Sequence, residues 1–211
     1  MIIAIDGPAA SGKGTVARRL AAHFNYAYLD TGALYRAVAL SVLRAGGDPS
    51  DADTADRAAR ALDPSMTEDP DIRTAESGAA ASKVAVIPAV RAELLAFQRT
   101  FSEYPPGGLD GAVLDGRDIG TVICPDAERK IFVIADVEIR AERRFRELLS
   151  RGEAVIYTRV LEDLRERDAR DGSRAESPMR QAGDAMLLDT THLAPDRAFD
   201  RALDFVNSGT T

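Results

Sequence analysis

The apolar residues of this 211-residue chain fall into short continuous runs, each followed by a stripe of helical spacing. Met1 to Asp6 is nearly all apolar and ends at a glycine-rich turn, which predicts a strand covered on both faces. Val16, Leu20 and Phe24 then recur at four-residue intervals, one face of a helix. The unit repeats: Tyr26 to Asp30 predicts a second strand, and Gly32 to about Ala45 a second helix that Gly46-Gly47-Asp48-Pro49 breaks. Residues 48–72 carry three prolines and no clean period, so mostly loop with one short helix is expected. Residues 73–103 read as helical with an interruption at Pro88, and Tyr104-Pro105-Pro106-Gly107-Gly108 as a turn. Gly111 to Asp115 and Lys130 to Ala135 predict further strands. Ala141, Phe145, Leu148 and Leu149 mark a helix from Val137, and Tyr157, Val160, Leu161 and Leu164 mark the next. Ala185 to Asp189 predicts the last strand; Phe199, Ala202, Leu203 and Val206 mark a closing helix. Strands alternating with helices imply an α/β domain, a parallel sheet with helices on both faces.

Composition narrows the class. A chain of 211 residues builds one α/β domain with a core of its own and a small appended lobe. Hydrophobic content of 45% and charged content of 29% are those of an ordinary globular protein. No apolar run approaches the roughly 20 residues that span a bilayer, and Met1 leads straight into a strand without a signal-peptide flank, so no membrane partner is expected. The lone Cys124 excludes an internal disulfide and a cysteine metal cluster, which fits a cytoplasmic location. A net charge of −7 and the absence of Trp argue against nucleic acid as a partner. The charge is unevenly spread: residues 48–76 hold nine acids and three arginines, whereas 140–180 hold eleven arginines and nine acids. Only three lysines occur, Lys13, Lys83 and Lys130, and one of them stands in the first glycine turn. A monomer is expected.

That turn, Gly7-Pro8-Ala9-Ala10-Ser11-Gly12-Lys13-Gly14-Thr15, reads as a phosphate loop between a strand and a helix. Its backbone N–H groups can wrap a phosphate, the helix starting near Lys13 points its positive end there, and Lys13 can reach β- and γ-phosphates. The pattern usually has Ser or Thr after the lysine, where a hydroxyl binds magnesium; here Gly14 intervenes. Thr15 can supply the hydroxyl one position later, or phosphates and water hold the ion, which suits magnesium. The Gly-Lys-Gly-Thr ending resembles nucleoside monophosphate kinases more than GTPases, and no Asn-Lys-x-Asp guanine motif occurs.

Two further strand-to-helix turns follow. In Leu29-Asp30-Thr31-Gly32-Ala33-Leu34-Tyr35-Arg36, Thr31 is expected to cap the helix, with Tyr35 and Arg36 on its first turn. In Leu114-Asp115-Gly116-Arg117-Asp118-Ile119-Gly120-Thr121, a strand end again delivers charged residues. Strand ends of an open parallel sheet meet at one crevice, so Arg36 and Arg117 can grip a second anion beside the donor phosphates. Asp115 can bind a water of magnesium, and Asp118 can read a base or a ribose. Further on, Arg165, Arg167, Arg170 and Arg174 run into Gly172-Ser173, the composition of a mobile arginine segment that closes over phosphates.

The segments DTGALYRAVAL, SKVAVIPAVRAELL, DGRDIGTV and ERDARDGSR resemble those of the bacterial cytidylate kinase family, over residues 1 to about 206. The resemblance implies a P-loop kinase fold: a central five-stranded parallel sheet flanked by helices, a monophosphate-binding lobe and a short helical lid. It implies transfer of the γ-phosphate of ATP to CMP or dCMP with Mg2+, and one domain with its core at about 1–46, 108–150 and 182–211. The monophosphate lobe would take about 47–107 and the lid about 151–181. On this likeness Gly7 to Thr15 bind ATP, and Arg36 and Arg117 hold the CMP phosphate. Ser82, Arg91 and Asp118 read cytosine, while Thr31 and Tyr35 flank CMP. In the lid, Asp171 serves the ribose hydroxyls, and Arg167 and Arg174 join Lys13 and Arg117 as catalytic cations. One departure stands out. Family members commonly insert a small antiparallel sheet before the segment matching Ile72-Arg73-Thr74, and here Asp63 to Pro70 lacks alternating apolar residues, so that sheet is expected to be absent and the lobe reduced.

Two other readings stay open at this level: a kinase of the same architecture for UMP or a non-nucleotide alcohol, and an ATP-binding switch without turnover. Two acceptor-site arginines favour a phosphate acceptor, whereas an alcohol calls for a carboxylate base.

Overall fold

A computed structural model describes residues 1–209. Five strands, β1 (Ile2–Asp6), β2 (Ala27–Asp30), β3 (Ala112–Gly116), β4 (Arg129–Ile134) and β5 (Met186–Asp189), form one sheet in the order β2-β3-β1-β4-β5. Every pairing is parallel. The two-residue period of the strands sorts their side chains between two cores. Ile3 and Ile5 point to the face covered by helices α1 (Lys13–Phe24) and α8 (Pro195–Asn207), with Val16, Leu20, Ala202 and Val206. Ala4 and Leu114 point the other way. There they meet Leu34 and Val38 of α2 (Thr31–Arg44), Val84 of α4 (Ala75–Val84) and Val90 and Leu94 of α5 (Pro88–Glu103). Burial on both faces is why the strands read as apolar runs rather than as alternation.

Helix ends follow local chemistry. The carboxylate of Asp30, rather than Thr31, caps α2 by accepting the N–H of Ala33 at 3.1 Å. The expected Thr31 cap is thus corrected by one position, because the Thr31 hydroxyl is committed to the next strand. Pro88 opens α5 at its first position, where a missing N–H costs nothing. The helical stretch 73–103 is therefore two helices joined by Ala85 to Ile87.

The segment before α4 lacks the small antiparallel sheet, as expected. It holds α3 (Ala52–Arg60) and two short 3-10 turns, Pro64–Glu68 and Pro70–Arg73, and among the described residues it has no strand. Asp63 and Asp69 begin those turns by accepting the N–H groups of Ser65 and Asp71 at 2.9 Å each. After β4 come α6 (Val137–Ser150) and α7 (Tyr157–Ser173). A single π-helical turn, Ile119–Ile123, follows β3 and has no counterpart in the sequence reading. No described helix is long and apolar enough to cross a membrane.

β1 lies between β3 and β4, so the chain leaves the sheet centre in opposite directions, and a crevice opens at the carboxyl ends of these strands. Register brings acids together there: Asp30 pairs with Asp115, and Asp6 with Gly116.

Candidate active site

At the crevice lies a cavity of about 600 Å³. Its floor is the phosphate loop, lining it with Ala9, Ala10, Gly12, Lys13, Gly14 and Thr15. Gly7 turns the chain there with φ of +149°, and a Cβ on it would lie 2.1 Å from the carbonyl oxygen of Val133, so only glycine fits. Ser11 is fully buried behind the loop, where its carbonyl accepts the Thr190 hydroxyl at 2.7 Å. Pro8 accepts the Ser11 N–H at 3.4 Å. Lys13 opens α1 and faces the cavity; burial and then the charge of Arg117 push its ammonium down to about 8.

The other walls bring in the residues expected on the acceptor side. Arg36 reaches the cavity from α2 and donates to the carbonyl of Ile72 at 2.9 Å. Its guanidinium lies over Gly78 of α4, where a Cβ would come within 3.1 Å. Ser82 also lines the cavity from α4, and its hydroxyl is buried with no protein partner. Arg117 comes from the turn after β3 and Arg167 from α7. Arg36 and Arg167 are held below the usual guanidinium range by burial and then by neighbouring cations, Arg167 on Arg36 and Arg117 on Arg167. Cations that depress one another around an open space define a site for a polyanion.

Helix α7 meets this site through Asp171, which is fully buried. Its carboxylate accepts Arg117 Nε at 2.9 Å, stands 3.9 Å from Arg167 Nε and takes a further bond from Arg174. Burial works to raise its pKa, but Arg117, Arg167 and Arg174 outweigh that and hold the carboxyl below its usual range. Asp171 thus pairs with the arginines expected to bind phosphate.

The residues expected to read a base divide. Arg91, half-buried, pairs with the buried Asp118, Nη2 to Oδ2 at 2.5 Å. Burial raises the Asp118 carboxyl against the pull of Arg91 and Arg174. Arg91 and Tyr35 line a second hollow of about 170 Å³ with Gln98 and Ser177, and the Arg91 guanidinium sits 5.8 Å from the Tyr35 ring centre. Thr31 does not line the cavity: it is buried, and its hydroxyl donates to the carbonyl of Asp115 at 2.8 Å.

Thr15 and Asp115 face the cavity together. Asp115 accepts the Tyr28 hydroxyl at 3.1 Å, and burial and then Asp30 push its carboxyl up to about 6. Among the described residues no group of three or more His, Cys, Asp or Glu could cage a metal. One hydroxyl and one carboxylate fit an ion that keeps most of its water and takes phosphate oxygens, the habit of magnesium.

Three arginines of α6 separate clearly. Arg140 is committed to the carbonyls of Ala135 and Ala9 and to Asp168 at 2.6 Å. Arg143 grips Thr190, beside the phosphate loop. Arg144 lines the cavity. Sequence reasoning missed Arg73, which bonds Asp30 at 2.8 Å, and Asp6, whose carboxylate accepts the N–H groups of Ile119 and Gly120 at 2.7 and 2.8 Å. A signal for Asp6 existed: Ile-Asp-Gly, Leu-Asp-Thr-Gly and Leu-Asp-Gly each put an acid at a strand end before a glycine turn.

Comparison with known proteins agrees with this geometry. The cytidylate kinase family model matches residues 3–208. The chain belongs to the cytidylate kinase family. A cytidylate kinase of Rhodospirillum rubrum is 59% identical over 206 residues, spanning 98% of this chain and 97% of that one. One from Paramagnetospirillum magneticum is 58% identical with 98% of each chain covered, and one from Rhodopseudomonas palustris 55% identical, covering 99% of this chain and 96% of its own. Solved structures at lower identity share the fold: a Eubacterium ventriosum protein (18% identical, TM-score 0.56, 99% of each chain) and a Thermus thermophilus protein (20%, TM-score 0.54, 100% of this chain and 98% of that one). The five-stranded P-loop kinase sheet expected from sequence is the sheet of this cytidylate kinase family member.

Proposed function

We propose that the chain transfers the γ-phosphoryl group of ATP to CMP or dCMP. The observation that carries this reading is the ring of half-buried, mutually repelling cations (Lys13, Arg36, Arg167) joined by Arg117 around one cavity with the Ser82 hydroxyl, and the Arg91–Asp118 pair next to Arg117 along the chain. The cations ask for phosphates, and the mixed donors and acceptors beside them ask for a base edge.

In this reading the amides of Gly7 to Thr15 wrap the ATP phosphates, and Lys13 reaches the β- and γ-groups. Arg36 and Arg117 hold the CMP phosphate so that one of its oxygens lies in line with the γ-phosphorus. That oxygen forms the new bond as the bond to the β–γ bridging oxygen breaks, leaving ADP and CDP. The attacking oxygen is already ionised near neutral pH, so orientation and charge neutralisation supply the rate. Arg167 and Arg174 exchange Asp171 for the transferring phosphoryl group, which frees Asp171 for the ribose hydroxyls. Ser82, Arg91 and Asp118 read cytosine beside Tyr35; Thr31 braces Asp115 from behind. Magnesium, held by Thr15, a water on Asp115 and phosphate oxygens, would neutralise developing charge.

We assign the core to about 1–46, 108–150 and 182–211, the monophosphate lobe to about 47–107 and the lid to about 151–181. A monomer is supported by the large exposed apolar side chains, Val86, Tyr104, Leu149, Ile156 and Leu187, lying on five separate segments. A cytoplasmic location is supported by the lone buried cysteine, Cys124. Phosphate transfer from ATP should be measured across CMP, dCMP, UMP, AMP and shikimate. Cytidine monophosphates should be preferred by at least about tenfold in kcat/KM, the discrimination expected when polar base contacts go unpaired; preference for another acceptor refutes the assignment.

A further inference from the structure

We propose that Asp6 is a positioning residue of the acceptor site, a bidentate carboxylate clamp that aims Arg117 and Asp118. The proposal rests on the kinase reading above, but its geometry is independent of it. Asp6 ends β1 and is 5% exposed. Its two oxygens each accept one backbone N–H, Oδ1 from Ile119 at 2.7 Å and Oδ2 from Gly120 at 2.8 Å. These are the first two amides of the π-helical turn that follows Arg117 and Asp118 directly. Neither amide has a helical acceptor at that point, so without the carboxylate both donors would be buried and unpaired.

The far end of the same turn is held too. Arg99 of α5 donates to the carbonyls of Val122 and Ile123 at 3.0 and 3.2 Å. On the near side the Thr31 hydroxyl holds the Asp115 carbonyl, and Gly116 leaves no room for a side chain, since a Cβ would lie 2.6 Å from Thr31 Oγ1 and 2.7 Å from Ile119 Cδ1. Arg117 and Asp118 therefore stand on a backbone bracketed by three elements, with a charged group at each end of the π turn. Such turns concentrate at functional sites and need outside support. Burial pushes the Asp6 carboxyl up to about 7, a cost that the two amides partly offset. An apolar residue at the sheet centre would avoid that cost but would leave the two amides unbonded.

Asp6→Asn keeps the shape but sets an NH2 group against one of the two amide donors. Its CMP affinity, measured by equilibrium titration, and its KM for CMP should weaken about tenfold, the usual result of displacing a positioning group by a fraction of an ångström. Affinity for a non-hydrolysable ATP analogue should stay within about twofold, because the phosphate loop keeps its own bonds. Arg99→Met, at the exposed end of the clamp, should shift CMP in the same direction by about threefold and decides the matter if the Asn variant does not fold. Unchanged CMP affinity in the variants, or CMP and ATP affinities falling together, overturns the proposal. Wild-type turnover of CMP in the same assay tests the kinase reading separately.

Discussion

At the scale of single residues, the irregular phosphate loop has a steric explanation. Gly14 stands where a hydroxyl residue is usual, and a Cβ there would lie 2.9 Å from Asp115 Oδ2 and 3.4 Å from Arg18 Nη1. The strand-end acid occupies the space that a side chain at 14 would need, and Thr15, one place on, is exposed at the cavity. Glycine inside a helix normally costs about 1 kcal/mol against alanine. Gly14→Ala should nevertheless bring no rise in melting temperature, since the methyl must displace the Asp115 carboxylate. Its kcat should fall about tenfold as that carboxylate loses its place at the phosphates. A variant that melts higher and turns over at the wild-type rate would refute the steric account.

Elements were legible wherever a local period or turn carried them. The five strands, the glycine turns at 7–15, 30–36 and 115–121, and the strandless segment before α4 could all be read from residues within a few positions of one another. What could not be read depends on partners far along the chain. Asp6 bonds amides 113 and 114 positions away, and the Asp171 carboxylate meets Arg117 across 54. No periodicity records such pairs. The misplaced cap at Thr31 has the same origin, since its hydroxyl is drawn off to Asp115. A contact of this kind also ties the α6–α7 loop to α4. Glu153, in the loop between α6 and α7, accepts the N–H of Ala75, the first residue of α4, at 3.0 Å. A carboxylate at a helix N-terminus satisfies an otherwise free donor and faces the positive end of the helix. Because α4 carries Ser82 and supports Arg36, loosening its start should reach the acceptor. Glu153→Ala should cost about 1 kcal/mol of stability and raise KM for CMP more than KM for ATP; equal changes in the two, by steady-state kinetics, would show a contact that only stabilises.

For the whole molecule, a net charge of −7 conceals a strongly basic interior crevice. Acids concentrate elsewhere, on residues 48–76, while Lys13, Arg36, Arg117 and Arg167 converge at the sheet centre. Without phosphates these cations repel one another, so the empty enzyme gives up stability that its ligands restore. Lys13 makes this measurable. Burial and then the charge of Arg117 lower its pKa from 10.5 to about 8, so its charged form is less favourable folded than unfolded. A lysine depressed in the fold lowers stability fully below pH 8, and the loss is relieved as the pH climbs from there toward 10.5. Lys13→Met, which keeps the stem and removes the charge, should therefore make the unliganded protein more stable at pH 7 by about 2 kcal/mol, discounted for the partial exposure of the ammonium. The gap between variant and wild type should close as the pH rises beyond about 8. Saturating ATP should raise the melting temperature of wild type and leave the variant nearly unmoved, with kcat lower by at least about a hundredfold. Thermal melts of both proteins with and without ATP, at pH 7 and pH 9.5, separate this trade of stability for binding from a lysine that serves only the fold, whose loss would lower the melting temperature at both pH values.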